Sequence, residues 1–268
     1  QLPVPNPANG VLSSPLNGTL TITQPITFSV PTSWNLPQVP PALPVYALNP
    51  TVATVTDAYT VAQQIKMGGV LITPQVRSDG SVVTTVQVGN VPYTLTVSGG
   101  YGEIWFTLQS IYPQAGELSA VRLPAIAAAW LRAHNLMRPD LGAPAVSAAG
   151  VSYGQMIGAA PLLGPGAVQL DFDGAGTLRS LRYEHVTAPL AKMWPAGSPA
   201  IAAAAWVDQG RGFYSGPTTS VITGIAAISG MSLAYVGVHG VTSDYLEPVY
   251  VLTGAVPTPV SYTHLTLP

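Results

Sequence analysis

The chain is organised around one short phrase that occurs twice, as Pro124-Ala-Ile-Ala-Ala-Ala-Trp130 and as Pro199-Ala-Ile-Ala-Ala-Ala-Ala-Trp206. Proline is tolerated in the first turn of a helix, where its missing N–H would have no intrahelical partner, and alanine has the highest helix propensity. Each copy therefore predicts the start of a helix. A third start is predicted at Thr56-Asp57, which offers an N-cap. Apolar residues follow it at helical spacing, at Ala58, Val61, Ala62 and Ile65.

Strand-like segments lie between these helix starts. Apolar and polar residues alternate there, and short Gly-containing turns interrupt the alternation. Such turns join antiparallel hairpins. They stand at Ser78-Asp-Gly80, Gly89-Asn90, Gly99-Gly100 and Asp173-Gly-Ala-Gly176. The helix starts are spaced by roughly seventy residues, which is too long for a solenoid and suits repeated α+β units.

The predicted fold class is α+β, with repeated units of one helix packed on a curled antiparallel sheet. A Pro-rich linker at residues 1–42, with an edge strand within Thr19–Val30, precedes the units. The predicted units are 43–115, 116–190 and 191–257, and 258–268 is predicted to be a non-native tail. Ser261–Pro268 resembles a translated sequencing adapter, so His264 is left out of the functional interpretation.

Composition excludes several classes of function. Charged residues make up 7% of the chain, against about 25% in average soluble domains, and the formal net charge is −2. No run of Lys or Arg supports nucleic-acid binding. The absence of cysteine removes disulfides, thiolate metal sites and cysteine nucleophiles. Low charge together with abundant Pro, Gly, Ser and Thr favours a location outside the cytoplasm. Since the sequence begins at Gln1, a signal or membrane anchor is expected upstream.

One motif resembles a catalytic serine. Gly150-Val-Ser-Tyr-Gly154 fits the G-x-S-x-G pattern of a nucleophile elbow, and Asp171 or Asp208 followed by His239 would keep the Ser, Asp, His order. In an elbow the strand turns sharply into a helix, whereas residues 155–161 do not favour a helix. Catalysis by Ser152 is therefore kept only as an alternative, and no catalytic residue is predicted.

Metal and cofactor sites are not predicted either. Leu170-Asp-Phe-Asp-Gly-Ala-Gly176 lacks the later bidentate acid of a calcium loop, so a hairpin turn is the prediction. His134 suits a helix C-terminus, and no two histidines have zinc-ligand spacing. Tyr183-Glu184-His185 offers an acid and a base, but adjacent strand residues point to opposite faces. Trp130 and Trp206 are assigned to the core, and Trp34 to the surface.

The second unit resembles a PepSY-type module. The resemblance rests on a helix followed by Val151-Ser-Tyr-Gly-Gln155, Gly158-Ala-Ala-Pro161, Leu163-Gly164 and Val168-Gln-Leu-Asp-Phe-Asp-Gly174. In the third unit, Met231–Tyr235 and Tyr245–Tyr250 are similar to the closing strands of YycH/YycI-like extracytoplasmic regulators. Ala159 and Ala160 depart from the link pattern of the PepSY family.

The resemblance implies a non-catalytic domain outside the cytoplasmic membrane, tethered by an N-terminal anchor, that restrains a sensor kinase or a protease. The predicted function is therefore binding or regulation through protein–protein contacts with another envelope or membrane protein, without nucleic acid, cofactor or small-molecule substrate. One alternative is a structural module associated with the cell wall. The other is a secreted serine hydrolase that uses Ser152.

Overall fold

The computed structural model describes residues 27–29, 36–66, 70–113, 115–147, 150–164, 166–202, 213–215, 225–239, 244–255 and 263–267. The chain divides into two compact units. The central unit is Leu48–Ala188, and the terminal unit combines the chain before Leu48 with the chain after Ala188.

Among the described residues, strand residues far outnumber helical ones. The strands are β1 (Thr27–Ser29), β2 (Ala42–Leu48), β3 (Gln75–Val76), β4 (Val82–Val88), β5 (Val91–Ser98), β6 (Trp105–Ser110), β7 (Leu141–Ser147), β8 (Gly150–Ile157), β9 (Ala160–Leu163), β10 (Ala167–Phe172), β11 (Leu178–Tyr183), β12 (Leu190–Pro195), β13 (Phe213–Ser215), β14 (Ile225–His239), β15 (Asp244–Ala255) and β16 (Thr263–Leu267). The helices are α1 (Val55–Gln64) and α2 (Leu123–Ala133). Residues 199–202 are also helical, so the second copy of the Pro-Ala phrase begins a helix as predicted.

The central unit contains one continuous antiparallel sheet. Its strands lie side by side in the order β8, β10, β11, β6, β5, β4, β3. Both β7 and β9 also pair with β8. The decisive pairing is between β6 and β11, in register from Phe106 opposite Tyr183 to Gln109 opposite Ser180, because it joins two meanders that are distant in sequence.

Both helices cover the same face of this sheet. Ala58, Val61 and Ala62 of α1 and Leu123, Ala127 and Leu131 of α2 are buried. They belong to one hydrophobic cluster with inward residues of β4, β5, β6, β8, β10 and β11. Burial of apolar area on this scale is the main source of stability for the unit.

The start of α1 differs slightly from the predicted one. Thr54 is the N-cap, its hydroxyl oxygen accepts from the Asp57 backbone N–H at 3.3 Å, and Asp57 in turn accepts from the Thr54 N–H at 2.7 Å. This reciprocal pair is a capping box, which satisfies two backbone donors at the helix start. The predicted apolar face, including Ile65 just after the helix, is buried.

The predicted fold class is wrong. The prediction gave each helix a sheet of its own, whereas α1 and α2 pack on one sheet and share one core. In addition, strands dominate the structure. The local patterns predict which segments are strands and where hairpins turn. They do not determine that β6 pairs with β11. Period-two alternation predicts which face of a strand is buried, but a hairpin has two free edges and the alternation does not specify which strand pairs with either edge.

The terminal unit has a mixed sheet. Its strands follow the order β12, β2, β15, β14. β1 pairs with β14 in parallel, whereas β12 with β2 and β14 with β15 are antiparallel pairs. Ile228, Met231, Tyr250 and Leu252 form a small core there. β16 pairs with β13 and β15. The backbone N–H of Ala47 donates to the Pro189 carbonyl at 2.9 Å, where the chain leaves this unit and returns to it.

Several sequence predictions fall outside the described residues. They concern most of the linker at 1–42 and the residues Trp34, Trp206 and Asp208. β1 lies within the predicted edge strand Thr19–Val30. In the part of the chain that the structure describes, neither α1 nor α2 nor any other helix has the length and apolar character needed to cross a membrane.

Candidate functional site

Ser152 does not lie on a nucleophile elbow. The motif Gly150–Gly154 is inside strand β8, which continues into β9 rather than into a helix. Ser152 is opposite Gln169 of β10 on one side and Ala145 of β7 on the other. Its hydroxyl lies 3.5 Å from the Ala145 carbonyl. The geometry that would aim helix N–H groups at an oxyanion is therefore not formed at this position.

Replacing Ser152 with Ala is expected to leave ester hydrolysis unchanged. The reason is that, within the part of the chain that the structure describes, neither a general base nor an oxyanion site adjoins its hydroxyl, and Asp171 is paired with Arg179 at 3.4 Å. The measurement is the rate of p-nitrophenyl acetate hydrolysis by the wild type, by Ser152→Ala and by the control Ser180→Ala. A specific loss of activity in Ser152→Ala would revive the hydrolase alternative.

The Asp-Gly turn is a hairpin turn, as predicted. Asp173 Oδ1 accepts from the backbone N–H groups of Ala175 at 3.0 Å and Thr177 at 2.9 Å. Gly176 has φ +86°, a conformation that glycine adopts readily. Among the residues that the structure describes, no group of three or more His, Asp or Glu side chains is arranged to hold a metal ion.

His134 lies at the end of α2, where it was predicted. Its Nδ1 is 2.6 Å from the Ile65 carbonyl oxygen, and its ring stacks on Trp130 with 4.0 Å between centroids. His134 therefore ties the end of α2 to the end of α1. Tyr183, Glu184 and His185 point alternately to opposite faces, as predicted. Glu184 Oε1 accepts from Arg182 Nε at 2.6 Å on one face, while the rings of Tyr183 and His185 stack on the other face with 6.3 Å between their centroids.

The structure assembles one polar cluster that the sequence interpretation missed, around His185. Its Nε2 lies 2.9 Å from Asp140 Oδ2, and its Nδ1 lies 3.1 Å from Glu103 Oε2. The Nδ1 contact is close enough for an ion pair but is not aligned as a hydrogen bond. Glu103 precedes β6, Asp140 lies between α2 and β7, and His185 follows β11, so three connections meet at one imidazole. We call these three residues the His185 cluster.

Neighbouring groups hold the cluster in place. Glu103 Oε1 accepts from Arg138 Nη2 at 3.2 Å and from the Thr187 hydroxyl at 2.8 Å. The buried Gln155 amide donates to Asp140 at 3.0 Å and to the Val186 carbonyl at 2.8 Å, and accepts from the Val186 N–H at 2.8 Å. Each carboxylate is thus oriented by a neutral or cationic donor in addition to His185.

Ionisation in the cluster follows from these contacts. Burial lowers the pKa of His185, but the neighbouring Glu103 and Asp140 carboxylates outweigh burial and raise the pKa above its usual value. Burial acts to raise the pKa of Glu103, yet His185, Thr187 and Arg138 together lower it. Burial raises the pKa of Tyr183, which keeps its hydroxyl protonated beside Arg138. These two directions favour the imidazolium form of His185 and the ionised form of Glu103.

The face of the central sheet opposite the helices, which we call the outer face, carries polar side chains in cross-strand rows. One row places Thr96, Thr107, Arg182, Gln169 and Ser152 opposite one another on successive strands. A second row contains Thr85, Thr94, Gln109, Ser180 and Asp171. Thr107, Gln109, Gln169 and Arg182 are exposed.

The outer face is shallow and nearly neutral. A depression of about 320 Å³ lies over β6, β10 and β11, between the two rows. Its charged groups are paired within the face, Arg182 with Glu184 and Arg179 with Asp171. The remaining groups are hydroxyls and amides, which donate and accept hydrogen bonds. This face therefore offers hydrogen-bonding groups and little net charge.

A second cleft, of about 430 Å³, lies beside Trp105 and Tyr101. Two of its polar side chains bond within the protein: the Thr51 hydroxyl donates to the Gly100 carbonyl, and Asp79 accepts from Ser81. The buried Trp105 Nε1 has no hydrogen-bond partner among the described residues. Trp105 and Tyr101 meet edge to face at 5.7 Å. Since these contacts pack the cleft walls against each other, we assign the cleft to the structure of the loop at 99–104.

Comparisons with known proteins assign no family. No protein-family model matches the chain, and no curated protein matches it. Among solved structures, the Bacillus megaterium YpeB C-terminal domain is similar, with 11% sequence identity and a TM-score of 0.41. The match covers 77% of this chain and 89% of that chain.

Proposed function

We propose that this protein is a non-catalytic binding domain that acts through protein–protein contacts, and that the outer face of the central sheet is its binding surface. The observation that carries the proposal is the pair of polar rows, each of which spans five neighbouring strands of the central sheet. Short Ser and Thr side chains lose little conformational freedom when a partner covers them. The hydrogen-bonded sheet beneath them fixes the positions of the rows, so the surface is preorganised for binding.

The proposed partner is another envelope or membrane protein, and the proposed location is outside the cytoplasm. The low content of charged residues and the pairing of the charges on the outer face support a partner recognised by neutral hydrogen bonds. The resemblance to PepSY-type regulators, stated above on sequence motifs, motivates the regulatory role. A structural module of the cell wall is the competing proposal.

Changing the charge of the outer face is expected to weaken binding at least tenfold. The double variant Gln109→Lys, Gln169→Lys adds two uncompensated charges to the polar rows, and a partner that covers them would have to desolvate both. The matched control is Gln63→Lys, Gln64→Lys, which adds the same charges on exposed positions of α1. The immobilised full chain would first be exposed to detergent-solubilised bacterial envelope proteins and, separately, to purified peptidoglycan.

A protein captured in this way would be purified, and its affinity for the wild type, the outer-face variant and the α1 control would be measured by surface plasmon resonance. The proposal expects loss of affinity in the outer-face variant and wild-type affinity in the α1 control. Equal affinities for the two double variants would show that the outer face is not the binding surface. Saturable binding to peptidoglycan, without a protein ligand, would instead support the cell-wall module.

A further inference from the structure

The His185 cluster has a feature that does not depend on the binding function. Both nitrogens of the imidazole face carboxylate oxygens, at 2.9 Å and 3.1 Å, and the side chain is 8% exposed. A neutral imidazole has one N–H, whereas an imidazolium has two. Only the protonated ring can present a proton to Asp140 and to Glu103 together. Loss of the proton leaves one bare nitrogen directed at a carboxylate, with little water nearby to separate them.

We propose that the protonation state of His185 controls how firmly the loop at 99–104 and the connection at 138–140 are held against the end of β11. In the protonated state the ring attracts both carboxylates. In the neutral state the aligned bond from Nε2 to Asp140 keeps the remaining proton, and Nδ1 faces Glu103 with a lone pair. The loop that carries Glu103 is therefore the segment that loosens when the proton is lost.

Other contacts decide how far this loop can move. Arg138 and Thr187 still hold Glu103 Oε1, and Gln155 still donates to Asp140. Tyr183, stacked beside His185, stays protonated because burial raises its pKa, and Glu184 is turned away toward Arg182. Titration near neutral pH is thus left to His185. The expected change is a local opening of the loop rather than unfolding of the central unit.

The directions of the His185 and Glu103 pKa shifts determine how the stability of the cluster changes with pH. His185 has a raised pKa in the folded state, so its contribution is complete below about pH 6.5 and is lost as the pH rises through the folded value. Glu103 has a lowered pKa, so its contribution is complete above about pH 4.3 and is lost as the pH falls through the folded value. The cluster is therefore strongest in mildly acidic conditions.

The test is amide hydrogen exchange of the full chain between pH 5.5 and 9, corrected for intrinsic exchange rates, together with an NMR titration of the His185 ring. Above pH 6.5 the opening constant for peptides within 99–104 is expected to rise by at most about tenfold per pH unit, since one proton is released. His185→Gln should remove this dependence. Peptides within β4 and β5 serve as an internal reference that should not respond.

Glu103→Gln provides a second variant should His185→Gln fail to fold. Its amide oxygen can still accept from Arg138 and Thr187, while its NH₂ group can donate to the bare Nδ1 of a neutral imidazole. The variant should therefore lower the His185 pKa and flatten the pH dependence of loop opening. The proposal is overturned if the wild-type ring titrates at or below its usual pKa, or if the pH dependence is the same in both variants as in the wild type.

Discussion

Gly102→Ala is expected to destabilise the central unit by about 3 kcal/mol or more, through steric overlap added to backbone strain. Gly102 has φ +76°, and a Cβ built there would overlap the carbonyl oxygen of Thr187. The obstacle is backbone, which cannot rotate away as a flexible side chain can. The loop at 99–104 and the segment after β11 would have to separate, and this separation would also pull Glu103 from His185.

The control for this substitution is Gly89→Ala. Gly89 also has a positive φ, of +60°, but no atom lies within 4 Å of a Cβ built there. The free energy of unfolding of Gly89→Ala should fall by only about 1 kcal/mol, which is the cost of placing a non-glycine residue in the left-handed conformation. The measurement is urea unfolding followed by circular dichroism, with hydrogen exchange of peptides within 48–188 to locate the effect. Equal losses in the two variants would mean that the close approach to Thr187 is not a tight contact.

Gln155→Leu is expected to lower the free energy of unfolding by about 2–4 kcal/mol, because it leaves buried hydrogen-bonding groups without partners. Gln155 is 4% exposed, and its amide satisfies both the N–H and the carbonyl of Val186 while donating to Asp140. Leucine has nearly the same size but none of these bonds, so the penalty is one of unpaired polar groups rather than of lost volume.

Gln109→Leu makes the same chemical change at an exposed position of β6 and should alter stability by no more than about 0.5 kcal/mol. Both variants would be compared with the wild type by urea midpoint at fixed pH. In addition, the His185 ring of Gln155→Leu should show a changed titration by NMR, since Asp140 loses a donor. Unchanged midpoint and titration together would contradict the role assigned to Gln155.

Local features of the fold could be predicted from the sequence because they depend on near neighbours. The Pro-Ala phrase begins α2 and the helical residues at 199–202, and Asp173-Gly-Ala-Gly176 forms a hairpin turn. The N-cap of α1 was misplaced by two residues, from Thr54 to Thr56. Both threonines can cap, and Asp57 at the third position from Thr54 decides between them by completing the capping box.

The assembly of the sheet could not be predicted in the same way. Pairing of β6 with β11 brings together strands about seventy residues apart, and no local signal specifies it. The error in fold class follows directly, since each helix was given a sheet of its own.

The His185 cluster was missed for a related reason. Glu103, Asp140 and His185 have no motif spacing, because they lie in three connections that only the folded sheet brings together. One signal was present: in a chain with 7% charged residues, a carboxylate beside Gly102 and an Arg-Pro-Asp run at 138–140 stand out. Scarce charges in connections between apolar strands are candidates for mutual pairing.

The hydrogen bond from Ala47 to Pro189 has a consequence for the order of folding. It closes a chain segment of roughly 140 residues, and closing so long a loop of unfolded chain carries a large entropic cost. That cost falls once Leu48–Ala188 has become compact. We therefore expect β2 to pair with β12 only after the middle of the chain has become compact, so that this part of the terminal unit folds at a rate set by a segment that it does not contain.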